Sequence, residues 1–186
     1  YQLINLSTHQ LINKSTHQQI NSSTNQPINK MKNAIGIETH QADQLVEKLN
    51  DLLANYMVFY QNTRGLHWNI KGNKFFELHL KFEELYNNLL LKVDEVAERV
   101  LTLGGVPVHT FDDYTQASSI KALKNVSQPA EAVKSLLDAF QILILKQREL
   151  LDLAAEANDE GTNALMSDYI REQEKMVWMY SAYITI

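Results

Sequence analysis

The chain has 186 residues, 45% of them hydrophobic, and a formal net charge of −5, which allows one domain with a sizeable core, with or without a disordered extension. No run approaches about 20 uninterrupted apolar residues, so a membrane-spanning helix is excluded. The absence of cysteine excludes disulfide scaffolds, iron–sulfur clusters, thiolate zinc sites and cysteine nucleophiles. Any metal must therefore be bound by oxygen and imidazole nitrogen, and we expect a protein of the reducing cytoplasm.

The first thirty residues are dominated by an eight-residue repeat, which reads QLINLSTH, QLINKSTH, QQINSSTN and then QPINK. Each repeat holds too few apolar side chains to offset the chain entropy lost on ordering, so we predict disorder for residues 1–30. Because Met31 follows directly, we interpret this segment as translated sequence upstream of the real start. A native N-terminus upstream of Met31, found by mass spectrometry, would contradict that interpretation.

Residues 31–186 are predicted to form the folded domain, and this part of the chain is acidic. It carries 15 Lys and Arg side chains against 22 Asp and Glu side chains. Such a surface attracts cations and repels a phosphate backbone. The composition therefore argues against tight nucleic-acid binding by the body of the protein.

A first helix is predicted from about residue 39 to residue 70, because apolar residues recur there every three or four positions. Gly72 is expected to end it. The side chains predicted to face the core are Leu45, Leu49, Leu52, Leu53, Tyr56, Phe59 and Tyr60.

A second, long helix is predicted over residues 74–103, with Asn73 as its cap and the pair Gly104 and Gly105 at its end. Its apolar positions are spaced for burial along one side of a helix. They are Phe75, Phe76, Phe82, Tyr86, Leu89, Leu90, Val93, Ala97 and Val100.

The second half of the chain is predicted to begin with a long crossover, residues 104–128, with a short helix near residues 112–117. Pro129 opens a third long helix to about residue 157, Gly161 breaks it, and the last helix covers residues 162–183. Two helical hairpins joined by one long connection describe an all-α, ferritin-like four-helix bundle.

Two histidines and three carboxylates around the first hairpin have the spacing of a metal site: His67, His79, Glu83, Asp94 and Glu98. The two histidines lie about five and six residues from the turn between the helices, so an antiparallel hairpin places them at similar height. The three carboxylates lie within about 100° of His79 around the second helix. All four side chains on that helix therefore form one stripe.

The stripe is too long for one metal site in one chain. Glu83 and Asp94 are eleven residues apart, about 16 Å along a helix. Two copies of this helix could pack antiparallel about a twofold axis near Asn88 and Leu89. His79 and Glu83 of one chain would then face Glu98 and Asp94 of the other, and two equivalent sites would form. Imidazole and carboxylate ligands suit ferrous iron, manganese or zinc, and this geometry alone does not choose among them.

The same residues lie in motifs that resemble the signature of the Dps family of mini-ferritins. The motifs are HWNIKG at residues 67–72, FEELY at residues 82–86, DEVAER at residues 94–99 and the Gly104 and Gly105 pair, within a similarity that runs from about residue 39 to the end. The resemblance implies a hollow dodecamer built from twofold dimers. Its intersubunit ferroxidase sites oxidise ferrous iron, typically with hydrogen peroxide, and deliver it to a ferric mineral in the cavity, which protects against oxidative stress.

The resemblance also implies a role for each candidate residue. His67, His79 and Glu83 would come from one subunit, and Asp94 and Glu98 from its twofold partner. Glu83 stands where some members carry Asp. The indole of Trp68 resembles the aromatic side chain beside the family's iron site, where it intercepts oxidising equivalents.

Several of these residues also have purely structural interpretations. A single histidine is more often a hydrogen-bonded side chain than a ligand, and a single carboxylate is most often solvated; the joint spacing reverses this expectation. We expect Trp68 and Trp178 to pack first of all in the core, and Arg99 to pair with a carboxylate. An acidic cluster near the end of the third long helix fits either an iron-entry pore at a threefold axis, by resemblance, or a solvated helix end: Asp152, Glu156, Asp159 and Glu160.

Two other functions compete with ferroxidase activity. One is a non-enzymatic shell that binds and compacts DNA, but the N-terminal segment adds only Lys14, Lys30 and Lys32, and the C-terminal SAYITI has no basic residue. We therefore expect DNA binding to be absent or weak. The other is a plain helical interaction bundle, which predicts no bound metal.

Overall fold

Five helices form the part of the chain that the computed structural model describes, residues 31–184. They are α1 (Thr39–Asn69), α2 (Phe75–Thr102), α3 (Phe111–Ala117), α4 (Pro129–Glu156) and α5 (Glu160–Ile184). The predicted all-α bundle is confirmed, with α3 as the short helix in the crossover. The predicted disorder of residues 1–30 falls outside the described residues.

The four long helices pack as two hairpins, α1 with α2 and α4 with α5, and α1 also packs on α4 and on α3. The core contains large aromatic side chains from all four long helices, and Phe59 of α1 meets Phe140 of α4 edge to face at 5.1 Å. Every predicted core side chain of α1 is buried except Tyr60, which is half-buried. None of the helices between residues 31 and 184 has the length and apolar character that a bilayer crossing requires.

The start of α2 differs from the sequence prediction. Asn73 does not cap this helix; the capping position is Lys74, and no side chain accepts a hydrogen bond there. Gly72 adopts a left-handed conformation with φ of 99°, and the Phe75 N–H donates to the Gly72 carbonyl at 3.1 Å. The main-chain turn therefore satisfies the N-terminal donor that the Asn73 side chain was expected to bind.

The break between α4 and α5 lies before Gly161, which is part of the first turn of α5. Asn158 reverses the chain with φ of 54°, and the Asp159 side chain caps α5 by accepting from the Thr162 N–H at 3.1 Å. Gly161 leaves room for the Arg99 guanidinium, which would lie 2.9 Å from a Cβ atom at this position.

Arg99 joins the end of α2 to the start of α5. Its Nη2 pairs with Asp159 Oδ1 at 2.5 Å, and its Nε donates to Thr162 Oγ1 at 2.8 Å. This is the structural ion pair that the sequence predicted for Arg99. Asp159 is buried and therefore does not belong to a solvated or pore-lining acidic cluster, whereas Asp152, Glu156 and Glu160 are exposed.

The Asp159 carboxyl makes stability depend on pH. Burial alone would raise its pKa, but hydrogen bonds from Thr162 and Arg99 outweigh this effect and hold the pKa below the ordinary value of 3.8. The Asp159 carboxyl therefore binds a proton more tightly in the unfolded chain than in the folded one. Its contribution to the free energy of unfolding is complete above about pH 4 and is lost as pH falls through the folded-state pKa. We expect the difference in unfolding free energy between the native chain and an Asp159→Asn variant to shrink between pH 7 and pH 3. A difference that stays constant in denaturation curves over this range would contradict the assignment.

Candidate metal centre

The structure brings His67, in the last turn of α1, directly against His79, in the second turn of α2. Their ring centroids are 3.7 Å apart and the ring planes differ by 21°. His67 is buried and His79 is half-buried. The hairpin therefore places both imidazoles at the same height, as the sequence predicted.

Each histidine is hydrogen-bonded to the main chain of the other. His67 Nδ1 lies 2.7 Å from the His79 carbonyl oxygen, and His79 Nδ1 lies 2.8 Å from the His67 carbonyl oxygen. The His67 carbonyl is available because α1 ends here: the Lys71 N–H, which would otherwise continue the helix, donates to Ser127 instead.

This reciprocal pair determines which ring nitrogens can bind a metal. A carbonyl oxygen only accepts, so each Nδ1 carries the proton of the neutral imidazole and each Nε2 keeps its lone pair. Metal-binding histidines in proteins are usually oriented by such a hydrogen bond from the other ring nitrogen. The hydrogen bonds of His67 and His79 therefore leave Nε2 as the nitrogen of each ring that could bind a metal.

Aromatic side chains hold the two imidazoles from both sides. Phe75 stacks on His79 at 5.0 Å, and Tyr86 meets His67 edge to face at 5.4 Å. Sequence reasoning did not assign these contacts. Their signal was the helical spacing on α2, where residues 75, 79 and 86 share one side.

Carboxylates and apolar side chains occupy the outward stripe of α2 that continues from His79. At about 100° per residue, the stripe spans about a third of the helix circumference. Glu83 is half-buried, and the other members are exposed; they are Phe76, Leu80, Leu90, Leu91, Asp94, Glu98 and Leu101. Phe76 and Leu90, which were counted among the apolar positions of α2, thus face outward, and a stripe of this kind is typical of a protein interface.

The three carboxylates do not join the histidines within one chain. In the described residues, no group of three or more His, Asp or Glu side chains is placed to hold a metal ion. This agrees with the helical distance between Glu83 and Asp94. A centre made from all five residues therefore needs a second copy of α2.

The two tryptophans are not core residues, so that expectation was wrong. Trp68 is 58% exposed and Trp178 is 66% exposed. Trp68 lies on the outward side of the last turn of α1, and the Arg64 guanidinium lies 5.0 Å from its ring centroid. Leucine, phenylalanine and tyrosine side chains fill the interior, and both indoles remain outside it.

Comparison with known proteins shows which family the chain belongs to. The ferritin-like domain model matches residues 46–186. The crystal structure of the Dps protein from Vibrio cholerae O1, described as a member of a broad superfamily of ferritin-like diiron-carboxylate proteins, is 55% identical, with a TM-score of 0.82, and the match covers 83% of this chain and 97% of that chain. The chain belongs to the Dps family.

Other Dps relatives match over similar lengths. The DNA protection during starvation protein of Porphyromonas gingivalis is 41% identical over 84% of this chain and 98% of its own length. The crystal structure of a Dps protein from Bacillus brevis is 36% identical, with a TM-score of 0.76 over 78% of this chain and 97% of that chain. The Dps resemblance found in the sequence is therefore confirmed.

Proposed function

We propose that this Dps-family chain is an iron-storage mini-ferritin with ferroxidase activity. It oxidises ferrous iron with hydrogen peroxide at sites shared by two subunits and keeps the ferric product inside a dodecamer built from twofold dimers. The observation that carries the proposal is the reciprocal His67 and His79 pair, which presents two Nε2 ligands beside a stripe of carboxylates. The diiron-carboxylate description of the Vibrio cholerae relative supports iron as the substrate.

The shared site follows from an antiparallel contact of two α2 helices. With the twofold axis at the level of Asn88 and Leu89, His79 and Glu83 of one subunit face Glu98 and Asp94 of the partner subunit. Leu89 is buried in the core, so the exposed side chains near the axis are Asn87, Leu90 and Leu91. Burial of these exposed leucines would stabilise the contact.

The ligand set favours oxidation of the bound substrate. A carboxylate stabilises a ferric ion more than a ferrous ion, because the additional positive charge interacts with the same fixed anion. Two ferrous ions supply the two electrons that, with two protons, reduce one hydrogen peroxide to two water molecules. No hydroxyl radical is released in this balance, which gives the protein a protective role against oxidative stress.

Trp68 borders this centre and has a secondary role in the proposal. Its indole is exposed and adjoins His67 in the chain. When peroxide finds too little ferrous iron, Trp68 intercepts the remaining oxidising equivalent. This role concerns protection of the protein and does not enter the main reaction.

Stopped-flow oxidation of ferrous iron tests the proposal. We expect the native protein to oxidise iron faster with hydrogen peroxide than with dioxygen at equal concentration, and a His67→Ala or His79→Ala variant to be slower by about tenfold or more. His109→Ala is the matched control, because His109 also has its Nδ1 near a main-chain carbonyl, that of Pro107, but lies in the crossover. Native protein that does not accelerate iron oxidation over buffer would refute the ferroxidase assignment.

DNA binding and compaction is the competing function, and the name of the Porphyromonas gingivalis relative, DNA protection during starvation protein, is the observation that favours it. The acidic balance of residues 31–186 disfavours it. We expect little or no shift of duplex DNA in a gel titration at low salt, where electrostatic binding is strongest. Strong binding there that weakens steeply with added salt would favour the DNA-binding shell.

A further inference from the structure

Arg64 lies in a cage of three aromatic rings. Its Cζ atom is 5.0 Å from the ring centroid of Trp68, 5.5 Å from that of Tyr86 and 5.6 Å from that of Tyr60. Nη1 donates to the Tyr60 hydroxyl at 2.9 Å, and the buried Nε has no hydrogen-bond partner. Within residues 31–184, no carboxylate pairs with this guanidinium.

The cage borders the proposed metal centre. Tyr60, Arg64 and Trp68 follow one another at four-residue spacing on α1, which places them on one side of the helix. Tyr86 comes from α2 and also contacts the His67 ring. A guanidinium that no carboxylate of residues 31–184 pairs with is thus fixed beside an indole that adjoins His67 in the chain.

A fixed cation makes an indole harder to oxidise. Removal of one electron leaves a positive charge on the ring, and the guanidinium repels that charge in inverse proportion to their distance and to the local dielectric constant. The same guanidinium attracts the neutral ring through its quadrupole, and this attraction is lost on oxidation. Both effects raise the free energy needed to take an electron from Trp68.

We infer that Arg64 is a redox-tuning residue that raises the reduction potential of the Trp68 indole radical cation. Trp68 then gives up an electron only to strong oxidants, so ferrous iron at the neighbouring centre is consumed before the protein. The step is a one-electron transfer: the indole is oxidised, the oxidant is reduced, and the radical cation releases its N–H proton to water. The physiological purpose rests on the proposed function, but the change in potential does not.

The test uses metal-free protein with the Trp178→Phe substitution, so that Trp68 is the only tryptophan. Loss of its fluorescence is followed by stopped flow with two oxidants of opposite charge, hexachloroiridate(IV) and tris(bipyridine)ruthenium(III). We expect an added Arg64→Met substitution to increase both rate constants about fivefold or more, and Arg64→Lys to keep them near the parent value. Because loss of the cation changes the local concentrations of the two oxidants in opposite directions, a common increase identifies the redox effect.

Three results would overturn the inference: unchanged rate constants, opposite changes with the two oxidants, or a Lys variant as reactive as the Met variant. The last result would mean that shape, and not charge, protects the indole. Acrylamide quenching of Trp68 fluorescence in each variant measures how accessible the indole is to solvent. Each oxidation rate constant is divided by the quenching constant of the same variant.

A second comparison leaves Arg64 in place. The Trp178→Phe protein reports on Trp68 alone, and a Trp68→Phe protein reports on Trp178, which is similarly exposed and contacts no cation within the described residues. After correction for quenching, we expect the rate constant for oxidation of Trp68 to be smaller than that of Trp178 by a factor of about five or more. Equal rate constants would overturn the inference. No iron enters either experiment, so a failed ferroxidase assay would leave these results standing.

Discussion

Replacing both Asp94 and Glu98 with alanine is expected to slow peroxide-driven iron oxidation severalfold or more. These two side chains are the partner's share of the proposed centre, and without them the site keeps two neutral imidazoles and one carboxylate. The stabilisation of the ferric product by fixed negative charge would then be largely lost. Both side chains are exposed and make no ion pair with another described residue, so we expect the fold and the dodecamer to remain.

The matched control for this variant is Asp43→Ala with Glu47→Ala. These residues have the same types and the same four-residue spacing, and they are exposed on α1. We expect the control to oxidise iron at the native rate. Light scattering coupled to gel filtration shows whether each variant assembles. An assembled Asp94 and Glu98 variant with native rates, or an equal loss in the control, would count against the intersubunit centre.

The second large effect concerns Asp159. An Asp159→Ala substitution is expected to lower the free energy of unfolding by about 3 kcal/mol, since it leaves the largely buried Arg99 guanidinium without its carboxylate and removes the cap of α5. Denaturant unfolding at a fixed subunit concentration measures this change, because assembly is linked to stability. The ion pair between Arg99 and Asp159 joins the start of α5 to the half of α2 that carries Asp94 and Glu98.

Glu174→Ala is the control for Asp159→Ala. Glu174 pairs with Arg148 at 2.7 Å, but both side chains are about half exposed. An exposed pair of this kind contributes about 1 kcal/mol or less. If both substitutions have the same small effect, Asp159 is not the structural residue that its burial indicates.

The helices could be predicted because their apolar residues follow the helical period over many turns, and a long periodic pattern outweighs local exceptions. The exceptions were the helix ends. Asn73 is a favourable capping residue, but a main-chain turn at Gly72 satisfies the donor first. Gly161 was expected to break a helix, but it allows the close approach of Arg99, a long-range contact with no local signal.

The candidate centre was predicted in part. Helical geometry placed His67 and His79 side by side and separated Glu83 from Asp94. It could not show that each histidine ring is hydrogen-bonded to the main-chain carbonyl of the other. This depends on where α1 ends and on the position of the Ser127 carbonyl, which accepts from the Lys71 N–H. The large aromatic side chain of Trp68 favoured its burial, whereas the structure places it outside, against Arg64.

The sequence by itself determined the helical period, the family motifs and the order of ligand residues along α1 and α2, since these depend on neighbours within a few turns. Only the tertiary structure decided which imidazole nitrogen is available, which carboxylate is buried with Arg99, and which aromatic rings surround Arg64. Each of these depends on side chains or main-chain groups from separate parts of the chain that meet only after the helices have packed.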